Sequence, residues 1–214
     1  GITGAAQLIS MNLGPEDLEL TDLIVNETRR IVKLLEQVEQ FGNLSAPHRK
    51  PVNLHDVLDR ARRSALLGFG AHMKIVEQYD PSLPLAYADP DQLLQVVLNL
   101  LKNASEAAGK EGGTITLHTF FEHSFRLRRS DGSGHSLPLQ IEVIDDGPGL
   151  PDDIRGDIFD PFVSGRENGT GLGLALVSKI ISDHDGWISV NSVPGRTVFR
   201  ISLPRAPMDE KETQ

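Results

Sequence analysis

The stretch that decides the fold is Val143-Ile144-Asp145-Asp146-Gly147-Pro148-Gly149. Its apolar start is typical of a buried strand, and the strand ends in a carboxylate, Asp145. This carboxylate is able to accept a hydrogen bond from an exocyclic amino group such as that of adenine, and Gly147 and Gly149 let the backbone come close to a flat base. The alternative is a simple capped turn, because Asp-Gly is common in turns. Taken alone, the segment leaves both interpretations open.

A second glycine-rich segment, Gly169-Thr170-Gly171-Leu172-Gly173, runs directly into a predicted helix. Glycines leave backbone N–H groups free to approach phosphate oxygens, and a helix N-terminus adds a favourable positive potential. Arg166 precedes it and offers a guanidinium for a terminal phosphate. The long connection between the two motifs is typical of a functional lid. We expect Phe159 and Phe162 to anchor this lid on the core.

A third motif, Asn99-Leu100-Leu101-Lys102-Asn103, lies within a helix predicted to begin at Asp89-Pro90. Asn99 and Asn103 are four residues apart and therefore share a helix face. A neutral amide oxygen suits a Mg²⁺ ion whose charge is balanced by phosphates. Glu106 lies on the same side and is a candidate to hold a water of that ion or to act as a base. Two surface asparagines without a function are the alternative.

Composition limits the classes of partner. The 214 residues carry a formal net charge of −9 and contain no cysteine. An acidic chain argues against nucleic-acid binding, which requires a basic face. The absence of cysteine excludes a disulfide framework and thiolate metal sites. No apolar run reaches the length of a membrane span, so we expect no membrane contact and a cytoplasmic location.

The order of predicted elements indicates an α+β fold with a helical region in front. Residues 1–43 are predicted to form two helices, and the first of them starts without a capping residue, which suggests a fragment of a longer protein. Apolar residues on the second helix form a stripe that favours a dimeric four-helix bundle, and a hairpin packed on the main domain is the alternative. Residues 44–53 are predicted to be a linker, 54–204 a sandwich of helices on a mixed sheet, and 205–214 a disordered tail. The stripe consists of Leu20, Ile24, Ile31, Leu34, Val38 and Phe41.

The sequence resembles the histidine-kinase branch of the GHKL ATPase superfamily, because an asparagine helix, Asp-x-Gly-x-Gly, an aromatic pair and Gly-x-Gly-x-Gly occur in that family's order. The resemblance implies a Bergerat-type ATP-binding α/β sandwich. Four further stretches are similar to sensor kinases of the nitrogen-regulation type: Gly1-Ile-Thr-Gly-Ala-Ala-Gln-Leu8, Asp89-Pro-Asp-Gln92, Glu111-Gly-Gly113 and Val163-Ser-Gly-Arg-Glu-Asn-Gly-Thr-Gly-Leu-Gly-Leu174.

The resemblance also implies roles for individual residues and for partners. Mg²⁺ would be bound by Asn103, and adenine by Asp145. The reaction would move the γ-phosphoryl group of ATP to a histidine and then to an aspartate of a response regulator. Dimerisation through residues 1–43 and a PII-type signal protein as partner are implied as well. The full set of ATP-binding residues would be Asn99, Lys102, Asn103, Asp145, Gly147, Gly149, Arg166, Gly169, Thr170, Gly171, Leu172 and Gly173.

The family's acceptor histidine is absent from this sequence. It lies in a His-Glu-x-x-Asn-Pro setting, and none of the seven histidines has that context. We therefore expect no autophosphorylation by this chain and assign no catalytic residue. An ATP-hydrolysing relative would carry a glutamate at the position of Asn99, which argues against hydrolysis. A nucleotide-binding interaction module without phosphotransfer remains the alternative.

Overall fold

A computed structural model describes residues 15–128, 134–166 and 169–207. The chain divides into two compact units, Gly1–Ser45 and Ala46–Gln214. The described part of the first unit contains one long helix, α1 (Pro15–Gly42). In α1 the predicted stripe residues Leu20, Ile24, Ile31 and Val38 are exposed. The predicted helix before residue 13 lies outside the described residues.

The second unit alternates helices and strands much as the sequence predicts. A 3₁₀ turn, Gly109–Glu111, follows its longest helix. No described helix has both the length and the apolar character that a membrane crossing requires. The elements are β1 (Lys50–Val52), α2 (Leu54–Leu67), β2 (Lys74–Gln78), β3 (Ala86–Ala88), α3 (Pro90–Ala108), β4 (Thr114–Phe121), β5 (Arg126–Arg128), β6 (Gly134–Ser136), β7 (Leu139–Asp145), α4 (Gly173–Asp183), β8 (Trp187–Val193) and β9 (Arg196–Leu203).

A five-stranded mixed sheet forms one layer of this unit, with strand order β2-β4-β7-β9-β8 among the described residues. The β2 and β4 strands are parallel, and the other pairs are antiparallel. Side chains alternate across a sheet, so Ile115, Leu117, Ile141 and Val143 share the buried face with Asp145. The helices α3 and α4 pack on the sheet, and α2 packs on α3. The predicted α+β sandwich is confirmed.

The helix that carries the asparagine motif begins as predicted. Asp89 caps it, because its Oδ1 accepts hydrogen bonds from the N–H groups of Asp91 and Gln92, and Pro90 occupies the first turn. The N–H of Asp89 also donates to Nε2 of the fully buried His184, at 2.9 Å. Nδ1 of His184 donates to the carbonyl of Ile180. The imidazole therefore joins the start of α3 to the end of α4.

Three segments are more ordered than the sequence predicts. The predicted linker contains β1, which pairs with β3. Residues 124–136, a polar stretch with Gly132 and Gly134 that the sequence predicts to be a solvated loop, contain two strands, β5 and β6, which pair with each other. The N–H of Ala206 donates to the carbonyl of Leu85 at 2.8 Å, so order extends past the predicted domain end at residue 204. For β1 and Ala206 the hydrogen-bond partner comes from a distant segment of the chain, which local composition cannot reveal. The domain boundaries as a whole stay a prediction.

Candidate functional site

Asp145 ends the central strand β7 as a buried carboxylate, with 4% of its surface exposed. Its Oδ1 accepts a hydrogen bond from the N–H of Gly147 at 3.0 Å. Burial raises the pKa of Asp145 above its ordinary value, and the Asp146 carboxylate raises it further. The Gly147 N–H and the charge of Arg166 act in the opposite direction on the pKa. A buried carboxylate such as Asp145 is stabilised by a partner that donates a hydrogen bond to it.

The two glycines after Asp145 are required by close approaches of neighbouring elements. A Cβ atom on Gly147 would lie 2.8 Å from Oδ1 of Asp145 and 3.1 Å from Cβ of Ala107 on α3. Gly149 has a φ of +89° and would place its Cβ 3.1 Å from the carbonyl carbon of Val193. The carbonyl of Gly147 also accepts from the N–H of Gly195 at 2.9 Å. The turn is therefore held between α3 and the β8–β9 connection.

Asn99, the first asparagine of the α3 motif, lies close to the end of the glycine-rich turn. Nδ2 of Asn99 donates to the carbonyl of Gln95 at 3.0 Å, and its Oδ1 lies 3.5 Å from where a Cβ on Gly173 would stand. Asn103 follows one turn later and is half-buried. The structure thus brings Asn99 and the first residue of α4 together.

Arg166 also lies against α3. Its Nη2 donates to the carbonyl oxygen of Asn103 at 2.8 Å, and its Nη1 contacts the carboxylate of Glu106. Nζ of Lys102 lies 4.0 Å from the other oxygen of that carboxylate. The two predicted phosphate-binding cations therefore share Glu106.

The glycine-rich turn is tightly packed before α4 begins. Gly171 has a φ of +68°, and a Cβ there would lie 2.4 Å from the carbonyl carbon of Phe162. A Cβ on Gly169 would lie 2.0 Å from Oγ of Ser164. Leu172 is buried, and no side chain of the described residues caps the helix. The first N–H groups of α4 are thus open to an anion. Thr170 lies in the same turn and is half-buried.

The two predicted lid anchors behave differently. Phe159 packs edge-on against Phe199, with ring centroids 6.5 Å apart, and its neighbour Ile158 is buried. The prediction for Phe162 is wrong, because its side chain is 68% exposed. Its backbone makes the contact instead: the N–H of Phe162 donates to the carbonyl of Gly171 at 3.1 Å, and its φ is +69°.

Sequence reasoning missed two hydroxyl groups near Asp145. Thr197 on β9 pairs directly with Asp145 and is buried. Its Oγ1 lies 2.9 Å from Oγ of Ser192, which accepts from the N–H of Leu150 at 2.9 Å. The register of β7 with β9 creates this arrangement, and no signal in the sequence around Thr197 reveals it.

Comparison with known proteins agrees with the fold and with the site's motifs. Residues 88–207 match the family described as histidine kinase-, DNA gyrase B-, and HSP90-like ATPase. The chain is 75% identical over 209 residues to the sensory histidine kinase/phosphatase NtrB of Rhodobacter capsulatus, which covers 98% of this chain and 59% of that protein. It is 48% identical over 205 residues to NtrB of Azospirillum brasilense, covering 95% of this chain and 51% of that protein. The chain thus spans about half the length of these relatives.

Solved structures of histidine kinases share the fold. The crystal structure of full-length ShkA in complex with AMPPNP has a TM-score of 0.68 at 24% identity and covers 97% of this chain and 43% of that one. ThkA in complex with the response regulator protein TrrA has a TM-score of 0.70 at 22% identity, covering 96% and 57%. The resemblance predicted from the motifs is confirmed: the chain belongs to the family of histidine kinase-, DNA gyrase B- and HSP90-like ATPases, with its ATP-binding domain, and is similar to NtrB sensory histidine kinases over nearly its whole length.

Proposed function

We propose that this chain contains the catalytic region of a nitrogen-regulation sensor histidine kinase, which binds Mg-ATP and donates its γ-phosphoryl group to a histidine. The observation that carries the proposal is the buried carboxylate of Asp145 at the end of β7, next to a glycine turn braced by α3 and the β8–β9 connection. Adenine offers the N–H donor that such a carboxylate needs.

The binding roles follow from the positions of the side chains. Asp145 accepts from the amino group of adenine, and the absence of a side chain on Gly147 lets the turn pack closely against Ala107 of α3 beside this carboxylate. Phosphates lie at the uncapped start of α4, where Thr170, Gly171, Leu172 and Gly173 contribute backbone N–H groups. Gly169, whose N–H donates to the carbonyl of Arg166 at 3.1 Å, shapes the turn before them. Lys102 and Arg166 add positive charge, Asn99 lies beside the phosphates, and Gly149 shapes the turn.

Asn103 is the proposed protein ligand of Mg²⁺. This residue is half-buried, and Arg166 donates to its main-chain carbonyl. A side-chain amide oxygen together with phosphate and water oxygens matches the preference of this ion. When bound, Mg²⁺ supplies charge neutralisation of the phosphates. The residues of the chain bind and orient the nucleotide.

The proposed reaction forms a bond between phosphorus and an imidazole nitrogen as the bond to the β–γ bridging oxygen breaks, which leaves ADP. Positioning supplies most of the catalysis in such a transfer. The phosphoryl group then passes to an aspartate of a response regulator. A response regulator and a PII-type signal protein are proposed partners, and residues 1–43 are the proposed dimerisation region.

Calorimetry of Mg-ATP binding tests the nucleotide site. We expect Asp145→Asn to weaken binding roughly 10- to 150-fold, because a hydrogen bond to a charged group is lost and an amide donor faces the adenine amino group. Asp146→Asn is the matched control, since Asp146 instead accepts from the N–H of Thr114. We expect it to retain affinity. A folded wild-type chain that does not bind ATP would contradict the proposal.

Phosphotransfer separates a kinase from a nucleotide-binding interaction module. The chain is incubated with γ-labelled ATP, alone and with a histidine-bearing helical segment taken from one of the NtrB relatives. We expect label on the supplied histidine and none on the seven histidines of this chain. ATP binding without any labelling of the supplied segment would favour the interaction module.

A further inference from the structure

One acidic side chain faces the cations of the proposed phosphate site. Glu106 Oε2 contacts Nη1 of Arg166, and Oε1 lies 4.0 Å from Nζ of Lys102. Arg166 uses a second nitrogen, Nη2, to donate to the carbonyl of Asn103 at 2.8 Å. Both outer nitrogens of the guanidinium are therefore engaged with α3. A negative charge at this place is unexpected for a site that binds phosphates.

The arginine comes from the lid and its partners come from the core. Arg166 lies in the lid connection between β7 and α4, whereas Asn103 and Glu106 are one turn apart on α3. The guanidinium is close enough to Asp145 for its charge to lower the pKa of that carboxyl. The contact thus ties the lid to α3, the helix whose Ala107 lies beside Gly147.

We propose that Glu106 is a positioning residue that holds Arg166 against α3 until a phosphate of the bound nucleotide replaces the Glu106 carboxylate as the partner of Arg166. The inference rests on the proposed function, because it needs a phosphate to arrive. A guanidinium fork binds phosphate in the same two-pronged way as carboxylate. Arg166 therefore exchanges one anion for another, and its transfer from Glu106 to the nucleotide depends on phosphate and not on adenine.

The exposure of the Arg166–Glu106 ion pair agrees with a contact that opens when a phosphate binds Arg166. The side chains of Arg166 and Glu106 are 41% and 44% exposed, and ion pairs this exposed are weak. A phosphate group, with more charge than a carboxylate, is able to replace such a partner. Removing Glu106 should consequently release Arg166 and tighten ATP binding by roughly two- to fivefold.

Two other roles for Glu106 predict different changes in ATP affinity when its charge is removed. If its carboxylate instead holds a water of the metal ion, loss of the charge weakens Mg-ATP binding. If Glu106 only repels phosphate, its loss tightens binding whether or not Arg166 is present. The sign of the change in ATP affinity and its dependence on Arg166 therefore distinguish the three roles.

The test compares Glu106→Gln, Arg166→Ala and the double variant with the wild-type chain, using calorimetry with Mg-ATP and NMR titration with adenosine. We expect Glu106→Gln to tighten ATP binding in the wild-type background and to tighten it much less in the Arg166→Ala background, where only Lys102 remains beside Glu106. Adenosine affinity should stay the same in Glu106→Gln. Glu77→Gln is the matched control, since Glu77 pairs with Arg62 between β2 and α2, and its ATP affinity should be unchanged.

Four results would overturn the proposal: unchanged ATP affinity in Glu106→Gln, weaker ATP binding, equal tightening in the Arg166→Ala background, or an equal change in adenosine affinity. Hydrogen exchange without nucleotide provides a second measurement. Peptides containing Arg166 should exchange faster in Glu106→Gln than in the wild type, and equal rates would also contradict the proposal. ATP binding by the wild type and its loss in Asp145→Asn report separately on the proposed function.

Discussion

At the scale of single residues, the buried carboxylate of Asp145 links binding to stability. Burial raises its pKa above the ordinary value of 3.8, so the folded state favours the protonated form. The stability that this preference contributes is fully present below pH 3.8 and is lost as the pH rises through the folded pKa. At neutral pH the free chain therefore carries an ionised group in an unfavourable environment.

We therefore expect Asp145→Asn to stabilise the folded chain although the same substitution weakens ATP binding. Asparagine keeps the acceptor for the N–H of Gly147 and removes the buried charge. We expect a higher melting temperature than wild type at pH 7 without nucleotide, and a difference that shrinks as the pH falls toward 3.8. Thermal unfolding at a series of pH values checks this. A variant that is less stable than wild type at pH 7 would contradict the conclusion that the buried, ionised carboxylate of Asp145 lowers the stability of the free chain.

At the scale of elements, the turn before α4 depends on a left-handed backbone. Gly171 has a φ of +68°, and its missing Cβ leaves room for the backbone of Phe162 and Val163. A side chain here meets backbone atoms, which cannot move aside without displacing the lid. The turn is therefore a place where the main chain of the lid is packed against the start of α4.

Gly171→Ala should lower stability and ATP affinity together. The strained backbone costs about 1 to 3 kcal/mol, which corresponds to a fall of roughly 3 to 10 °C in melting temperature for a domain of this size. Gly156→Ala is the control in the same connection, because a Cβ there meets nothing within 4 Å and no positive φ occurs. We expect that variant to be neutral. Calorimetric and thermal measurements that show equal effects for both glycines would argue against the packing of this turn.

At the scale of the whole molecule, the first unit presents apolar side chains that a single chain leaves in water. Leu20 and Ile31 of α1, both members of the predicted stripe, are 59% and 52% exposed. A long apolar stripe of this kind is stabilised by pairing with other helices. The proposed homodimer would cover it.

We expect the chain to have about twice the monomer mass of 23.4 kDa in solution. A double variant, Leu20→Glu with Ile31→Glu, should shift the mass to that of the monomer, because two charges would be buried in the proposed bundle. Leu67→Glu in α2 is the control, since this leucine is also exposed but belongs to the second unit. Light scattering after size exclusion reports the masses. A wild-type monomer at micromolar concentration would contradict dimerisation through this region.

The sequence by itself determined the elements and the motifs, because these depend on local patterns. Apolar periodicity predicted α1, and a cap with a proline predicted where α3 begins. The order of the glycine and asparagine motifs was sufficient to identify the family. Such signals are readable because hydrogen bonding within a helix and the left-handed preference of glycine are properties of neighbouring residues.

Only the tertiary structure decided which groups face one another across the fold. The pairing of β7 with β9 brings Thr197 beside Asp145, and the path of the lid carries Arg166 to Glu106. Tertiary packing also leaves Phe162 exposed, although its aromatic side chain predicted an anchor. These contacts join residues far apart in the chain, and their geometry follows from strand register and helix packing, which local composition does not encode.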